Sequence, residues 1–304
     1  MTKEFYSNGK LLLTGEYAIL DGAWGLAVPT KFGQSLKISP NTTRELSWKS
    51  LDEKGNPWFK TTLDIDKVLN PKNRPSGESV DGVLIGLLQE ANQLNPDFLS
   101  GSQGFKVETR LDFPRDWGLG SSSTLINNIA QWAKVDAFQL LWNAFSGSGY
   151  DIACAQNNSP ILYRVKEKKA TVKPVEFNPK FTDRLFFVHL DKKQNSREGI
   201  SQYRKMEFDS LRLTESVTRL TQEVLKCEDL ATFETLMERH EALLSRTLQT
   251  PTIKQQLFRD YPGTVKSLGA WGGDFVLVSG NQNTPEYFKK KGYPTTLTYA
   301  QMVL

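Results

Sequence analysis

Histidine and cysteine are scarce in this chain, with two of each in 304 residues. The cysteines, Cys154 and Cys227, stand far apart, which argues against a disulfide framework or a cysteine metal cluster and points to a reducing cytoplasm. With only His189 and His240, a histidine-based triad or a histidine-rich metal site has too few ligands. No apolar run approaches the roughly 18 residues of a membrane span. The stretch MTKEFYSNGK lacks the apolar core of a signal peptide. No block of lysine and arginine stands out, so nucleic acid is not the expected partner. The net charge of +4 is spread along the chain and suits an anionic ligand. Internal repeats and low-complexity segments are missing too.

What remains is an ordinary globular composition, long enough for one large or two modest domains. KLLLTGEYAIL and WGLAVPTKF carry apolar runs broken by Gly, Asp and Pro, as in a meander or hairpins. QSLKIS (34–39) and RELSWK (44–49) alternate like half-exposed strands. LDEKGNPW is turn-rich, and residues 70–79 read as a loop. VDGVLIGLLQEANQL has helical spacing, and GFKVETRLDF (104–113) alternates again. LINNIAQWAK and DAFQLLWNAF predict two short helices, the second capped by Asp136. ILYRV and TVKPV read as a hairpin, and RLFFVHL (184–190) as a buried strand with His189 as a core residue. Residues 196–260 turn helical. TVKSLGAWGGDFVLVSG then reads strand, glycine turn, strand, and EYFKKKGY predicts a last helix. The pattern is α+β, with a domain boundary placed at 180/181.

The most informative stretch is PRDWGLGSSST (114–124). It follows a strand and opens a helix. Glycines there let the backbone turn with positive φ and approach a ligand closely. A helix N-terminus offers unpaired N–H groups and partial positive charge. Together these make a phosphate cradle, to which Ser121, Ser122 and Ser123 add hydroxyls. No GK[ST] follows, so this is not a Walker A loop. The plain alternative is a glycine turn with a serine helix cap. Two more stretches bear on the choice. SNGKLLLTGEYAIL carries Lys10 within an apolar run and Glu16 beyond it. SGSGYDIACA sets Asp151 after a glycine turn. By itself Lys10 reads as a solvated strand lysine, and Asp151 as a helix cap. Beside a phosphate cradle, a lysine and an aspartate are the parts of a phosphoryl-transfer site.

In these stretches the sequence resembles the GHMP small-molecule kinases, named for galactokinase, homoserine kinase, mevalonate kinase and phosphomevalonate kinase. GKLLLTGEYAIL is similar to the first family signature and PRDWGLGSSST to the second. GAWGGDFVLV (269–278) resembles the third, with Trp271 where the family usually has glycine. The resemblance spans nearly the whole chain. It implies a two-domain α+β fold: residues 1–180 as an α/β domain like the second domain of ribosomal protein S5, residues 181–304 as an α/β sandwich, and an active site in the cleft between them.

The resemblance further implies that Pro114, Gly118, Leu119, Gly120, Ser121, Ser122 and Ser123 hold ATP, with Ser122 approaching Mg²⁺. Asp151 corresponds to the catalytic aspartate and Lys10 to its partner. Glu16, Lys193, Ser196, Gly269, Gly272 and Gly273 fall where the family contacts substrate. Trp117 and Trp271 lie inside ligand-loop motifs, where they can pack, narrow a pocket or stack on a base. The implied reaction is phosphoryl transfer from Mg-ATP to a small anionic acceptor, mevalonate or phosphomevalonate. GEY, GSGYDIA and GGD look more like phosphomevalonate kinase. Mevalonate kinases usually carry a metal-shell glutamate between the second motif and the catalytic aspartate. Residues 124–150 contain none, and Asp136 is their only acid. Two alternatives stand beside this reading: a nucleotide-binding protein of the same fold without turnover, and an ATP-dependent decarboxylase resembling diphosphomevalonate decarboxylase. The expected assembly is a monomer or homodimer in the cytoplasm, bound neither to membrane nor to nucleic acid.

Overall fold

Period-two alternation writes the strands of this protein and three-to-four spacing its helices. A computed structural model describes residues 2–73, 79–192 and 196–304. Its chain forms two compact units, neither of them a single stretch. Met1–Gly9, Phe32–Arg115 and Leu119–Gln156 make the first, and Lys10–Lys31, Asp116–Gly118 and Asn157–Leu304 the second.

Two strands pass through both units: β1 (Lys3–Thr14) and its partner β2 (Gly25–Asn41). WGLAVPTKF and QSLKIS, expected as separate strands, are one 17-residue element, because the glycine between them at position 33 keeps strand geometry and no turn residue interrupts it. In the first unit, Gln34–Asn41 of β2 pair antiparallel with β5 (Gly104–Leu111). β5 pairs parallel with β3 (Glu45–Leu51), which pairs with β4 (Pro57–Asp64). Helices α1 (Ile65–Leu69), α2 (Val80–Leu94), α3 (Ser121–Ala133), α4 (Ala137–Ala144) and α5 (Tyr150–Gln156) complete this unit. Leu84, Leu87, Leu88 and Ala91 form the buried stripe of α2 and share one core with Leu36, Trp48 and Val107 of the sheet and Ile126, Ile129 and Ala130 of α3. Each buried leucine contributes about 2 kcal/mol. Asp136 caps α4 as its sequence predicts, its carboxylate accepting from the Gln139 N–H at 2.9 Å.

In the second unit, Gly25–Ala27 of β2 pair with β6 (Ile161–Lys166), which forms the expected hairpin with β7 (Lys169–Pro174). A separate antiparallel sheet has the order β11 (Thr296–Thr298), β8 (Leu185–His189), β10 (Phe275–Ser279), β9 (Val265–Ser267). Helices α6 (Ser196–Lys205), α7 (Ser210–Leu225), α8 (Leu230–Thr247), α9 (Ile253–Leu257), α10 (Thr284–Lys290) and α11 (Tyr299–Met302) accompany it. EYFKKKGY is therefore not the last helix, since β11 and the single turn of α11 follow, too short to show a period. Among the described residues, no helix is long and apolar enough to cross a membrane.

Candidate active site

The glycine–serine loop builds an open helix terminus. Gly118 has φ +65° and Gly120 has φ +91°, left-handed values that suit glycine. A Cβ on Gly118 would lie 2.3 Å from the Asp274 carboxyl group, so a side chain there would require that carboxyl group to move. Gly120 is the N-cap of α3 and offers no side-chain acceptor to the helix. The serine-cap alternative therefore fails: Ser121, Ser122 and Ser123 stand inside the first turn, with Ser122 exposed. A 13-residue helix thus starts with N–H groups left to water or to an anion. In the first unit, Arg115 stacks over Trp58 at 3.7 Å just before the loop.

The remaining candidates fall on either unit. Asp151, in the first unit, is half-buried in the opening turn of α5. Gly149, not Asp151, caps that turn: its carbonyl accepts from the N–H groups of Ile152 and Ala153. Lys10, in the second unit, lies half-buried on β1. Ser196 begins α6 and is exposed, whereas Lys193 lies outside the described residues. Gly269 (φ +61°), Trp271 (φ +54°), Gly272 (φ +96°) and Asp274 (φ +51°) make the third glycine loop a run of left-handed turns. Gly273 in the same loop is buried. Trp271 is turned into the core. It is 6% exposed, packs among Tyr17, Leu213 and Leu244, and its indole N–H donates to Glu241 Oε1 at 3.0 Å. The Tyr17 hydroxyl holds the neighbouring Ala270 carbonyl at 2.8 Å.

Beneath that loop the second unit buries a cluster that no local pattern announces. Glu16 and Lys266 are both 0% exposed, and the Lys266 ammonium donates to Glu16 Oε1 at 2.5 Å. Glu241 Oε1 is 3.5 Å from the same ammonium, and Ser267 donates to Glu241 Oε2 at 3.1 Å. His240 Nε2 accepts from the Gly15 N–H at 3.1 Å. Burial pushes the Glu16 carboxyl up to about 7, against the downward pull of Lys266. Burial likewise raises Glu241. Burial, then Lys266, hold His240 well below the ordinary histidine value. Glu16 sits in this sealed pairing rather than on an exposed surface.

His189 also has more specific surroundings than a generic core position. It is 2% exposed. Its Nδ1 is 3.0 Å from Asp191 Oδ1, and its Nε2 is 3.2 Å from the carbonyl oxygen of Asp116, two residues before Gly118. Trp117 packs edge-on against Phe275 with ring centres 5.5 Å apart.

No protein-family model and no curated protein matches the sequence. Solved structures do. A phosphomevalonate kinase from Streptococcus pneumoniae, in complex with phosphomevalonate and AMPPNP, superposes with a TM-score of 0.71 at 18% identity, covering 97% of this chain and 99% of that one. Mevalonate kinase from Methanococcus jannaschii gives 0.69 at 16% identity, over 96% and 94%. The fold is that of the GHMP kinases. Galactokinase from Lactococcus lactis shares it as well, with a TM-score of 0.69, 15% identity and coverage of 98% and 92%.

Proposed function

We propose that the protein is an ATP-dependent phosphotransferase acting on a small anionic alcohol or phosphate, with mevalonate or phosphomevalonate the leading acceptors. The observation that carries the proposal is the uncapped N-terminus of α3 behind two left-handed glycines. The joint presence of three family-like motifs in order supports it, as does a fold shared with phosphomevalonate, mevalonate and galactose kinases. Galactokinase among the neighbours leaves a sugar acceptor as the competitor to be tested.

In this reading the N–H groups at the start of α3 bind the ATP phosphates, and the helix dipole favours their charge. Asp151 takes the proton from the acceptor oxygen as that oxygen attacks the γ-phosphoryl group. Lys10 balances the negative charge that develops. The donor set fits Mg²⁺ only as a guest of the nucleotide. Among the described residues, no group of three acidic, histidine or cysteine side chains is arranged to hold a metal ion. Asp136, the only acid in residues 124–150, is occupied in capping α4. The Ser122 hydroxyl is the protein oxygen that would reach the ion, which usually keeps several waters beside phosphate ligands. When bound, Mg²⁺ neutralises phosphate charge.

The test is ADP release with Mg-ATP against mevalonate, phosphomevalonate, diphosphomevalonate, galactose and homoserine. Turnover with one acceptor is expected, and Asp151→Asn abolishes it while ATP still raises the melting temperature. Undiminished turnover in Asp151→Asn sinks the assignment of the base. ATP protection without turnover on any acceptor favours a nucleotide-binding protein.

A further inference from the structure

We propose that His189 is a positioning residue for the glycine–serine loop. Carrying a proton on each ring nitrogen, it ties the Asp116 carbonyl to the Asp191 carboxylate and so fixes where Gly118 stands. The proposal rests on the loop being a phosphate cradle for its functional meaning, though not for its geometry.

The argument starts from hydrogen-bond inventory. A neutral imidazole has one N–H donor and one lone pair, whereas a doubly protonated one has two donors. Both groups that face His189 are acceptors only, a backbone carbonyl on Nε2 and a carboxylate oxygen on Nδ1. A ring with one proton leaves a lone pair pointing at an oxygen, on a ring that is itself 2% exposed although the Asp191 side chain is 54% exposed. Two protons satisfy both contacts, and the carboxylate partner balances the charge. Neighbouring segments hold this arrangement. Asp191 takes a left-handed φ of +49°, two residues beyond the histidine whose Nδ1 its carboxylate meets. The ring is flanked by Phe275 at 5.0 Å and Trp117 at 6.3 Å between ring centres. His189 itself is anchored on β8, its N–H donating to the Thr295 carbonyl and its Cα paired with Phe275.

The charged residues carried by the segments around the ring are Asp116, Asp191, Lys192 and Asp274. The Asp274 N–H donates to the Lys192 carbonyl at 2.7 Å, and the Leu190 N–H donates to the Asp274 carbonyl at 2.8 Å. The loop entry is thereby held on two sides: His189 grips Asp116, and the Asp274 carboxyl group closes against Gly118. A cation at this place also opposes the accumulation of acidic groups beside an anion-binding turn.

The decisive comparison uses two amides that each keep one half of the ring. Glutamine places its nitrogen near Nε2 and can still reach the Asp116 carbonyl. Asparagine places it near Nδ1 and reaches only Asp191. In the free full-length protein, amide hydrogen exchange over residues 116–120 is expected to stay near the wild-type rate in His189→Gln and to run about tenfold faster in His189→Asn, the loss of one buried hydrogen bond. A role in packing alone predicts equal behaviour of the two variants, and that result overturns the proposal.

Nitrogen-15 NMR of the wild-type protein gives an independent reading even if a variant misfolds. The chain has two histidines, and His240 should show the pattern of a neutral ring. His189 should show two protonated nitrogens at the pH where the loop amides are protected. A one-proton pattern there refutes the bridge. If the kinase reading also holds, His189→Asn raises the KM for ATP more than it lowers kcat, and His189→Gln does not. If wild-type protein neither binds nor hydrolyses ATP, the kinase reading fails alone, since exchange and NMR still decide the role of His189.

Discussion

In the first unit the network of buried polar side chains between β1, β2, α3 and α5 is neutral. Ser7 donates to Asn128 Oδ1 and accepts from Asn127 Nδ2, both at 2.8 Å. Gln156 donates to Asn127, Asn128 to the Gln34 carbonyl, and Thr124 to the Gln34 side chain. The second unit buries ions instead: Glu16, Glu241 and Lys266, with a neutral His240 alongside. Both arrangements satisfy most of their groups, but they differ in what removal does. A neutral partner lost leaves an unmet hydrogen bond. A charged partner lost leaves a charge in a medium that solvates it badly. The neutral network should therefore be indifferent to pH and lose less on truncation, and the ion cluster should respond strongly to both.

The largest effect is expected for Lys266→Met, which strands two buried carboxylates. It should cost about 3–5 kcal/mol in urea unfolding, and adding Glu16→Gln should return about half of the loss. A double variant no better than the single one would mean that the ions do not act as a unit.

Next comes pH. The Glu16 carboxyl is raised from 4.5 to about 7 on folding. Its stabilising contribution is present below the unfolded value and lost as pH rises through the folded one, about 3 kcal/mol in all. His240 runs the other way: its value is lowered on folding, so stability is lost as pH falls below 6.5. The two slopes oppose each other between pH 4.5 and 6.5. Relative to wild type, Glu16→Gln should tilt the stability profile upward with pH, and His240→Asn should tilt it downward. Equal tilts in both variants would break the comparison.

Ser7→Ala, in the first unit, should cost about 2 kcal/mol because it leaves two asparagine groups unpaired, and that cost should be the same from pH 5 to pH 9. A pH-dependent loss would show that the neutral network is coupled to ionised groups. Smallest is Trp271→Phe, which keeps the ring buried and deletes one donor to Glu241. About 1 kcal/mol is expected, read by thermal unfolding.

What could be read in the sequence follows from distance along the chain. The open turn before α3, the Asp136 cap and the β6–β7 hairpin depend on neighbours a few residues away, and each was legible. The strand β4 and the short α1 were missed because weak, half-exposed alternation over PWFKTTLD competes with the turn signal beside it. Glu16 could be seen as a candidate but not as the partner of Lys266, which lies 250 positions further on. The sequence leaves Trp271 open between packing and a ligand role, and the structure shows it packed. Its inward rotation depends on Glu241 and on the apolar floor that α7 and α8 supply. The apolar run RLFFVHL puts His189 in a strand, yet its partner on Nε2 comes from a loop 73 residues earlier.

The interrupted course of the second unit also bears on how the protein is made. Lys10–Lys31 leave the ribosome early, but Gly25–Ala27 pair with residues 161–163 and Glu16 waits for Lys266. At about 5–20 residues per second, the 250 intervening residues keep Glu16 an ordinary solvated carboxylate for roughly 10–50 s. During that interval the nascent second unit has no ion cluster to bury. Its edge strands are then open to chaperones, and a variant that weakens the Glu16–Lys266 pair should show first as a lower yield of soluble protein from translation.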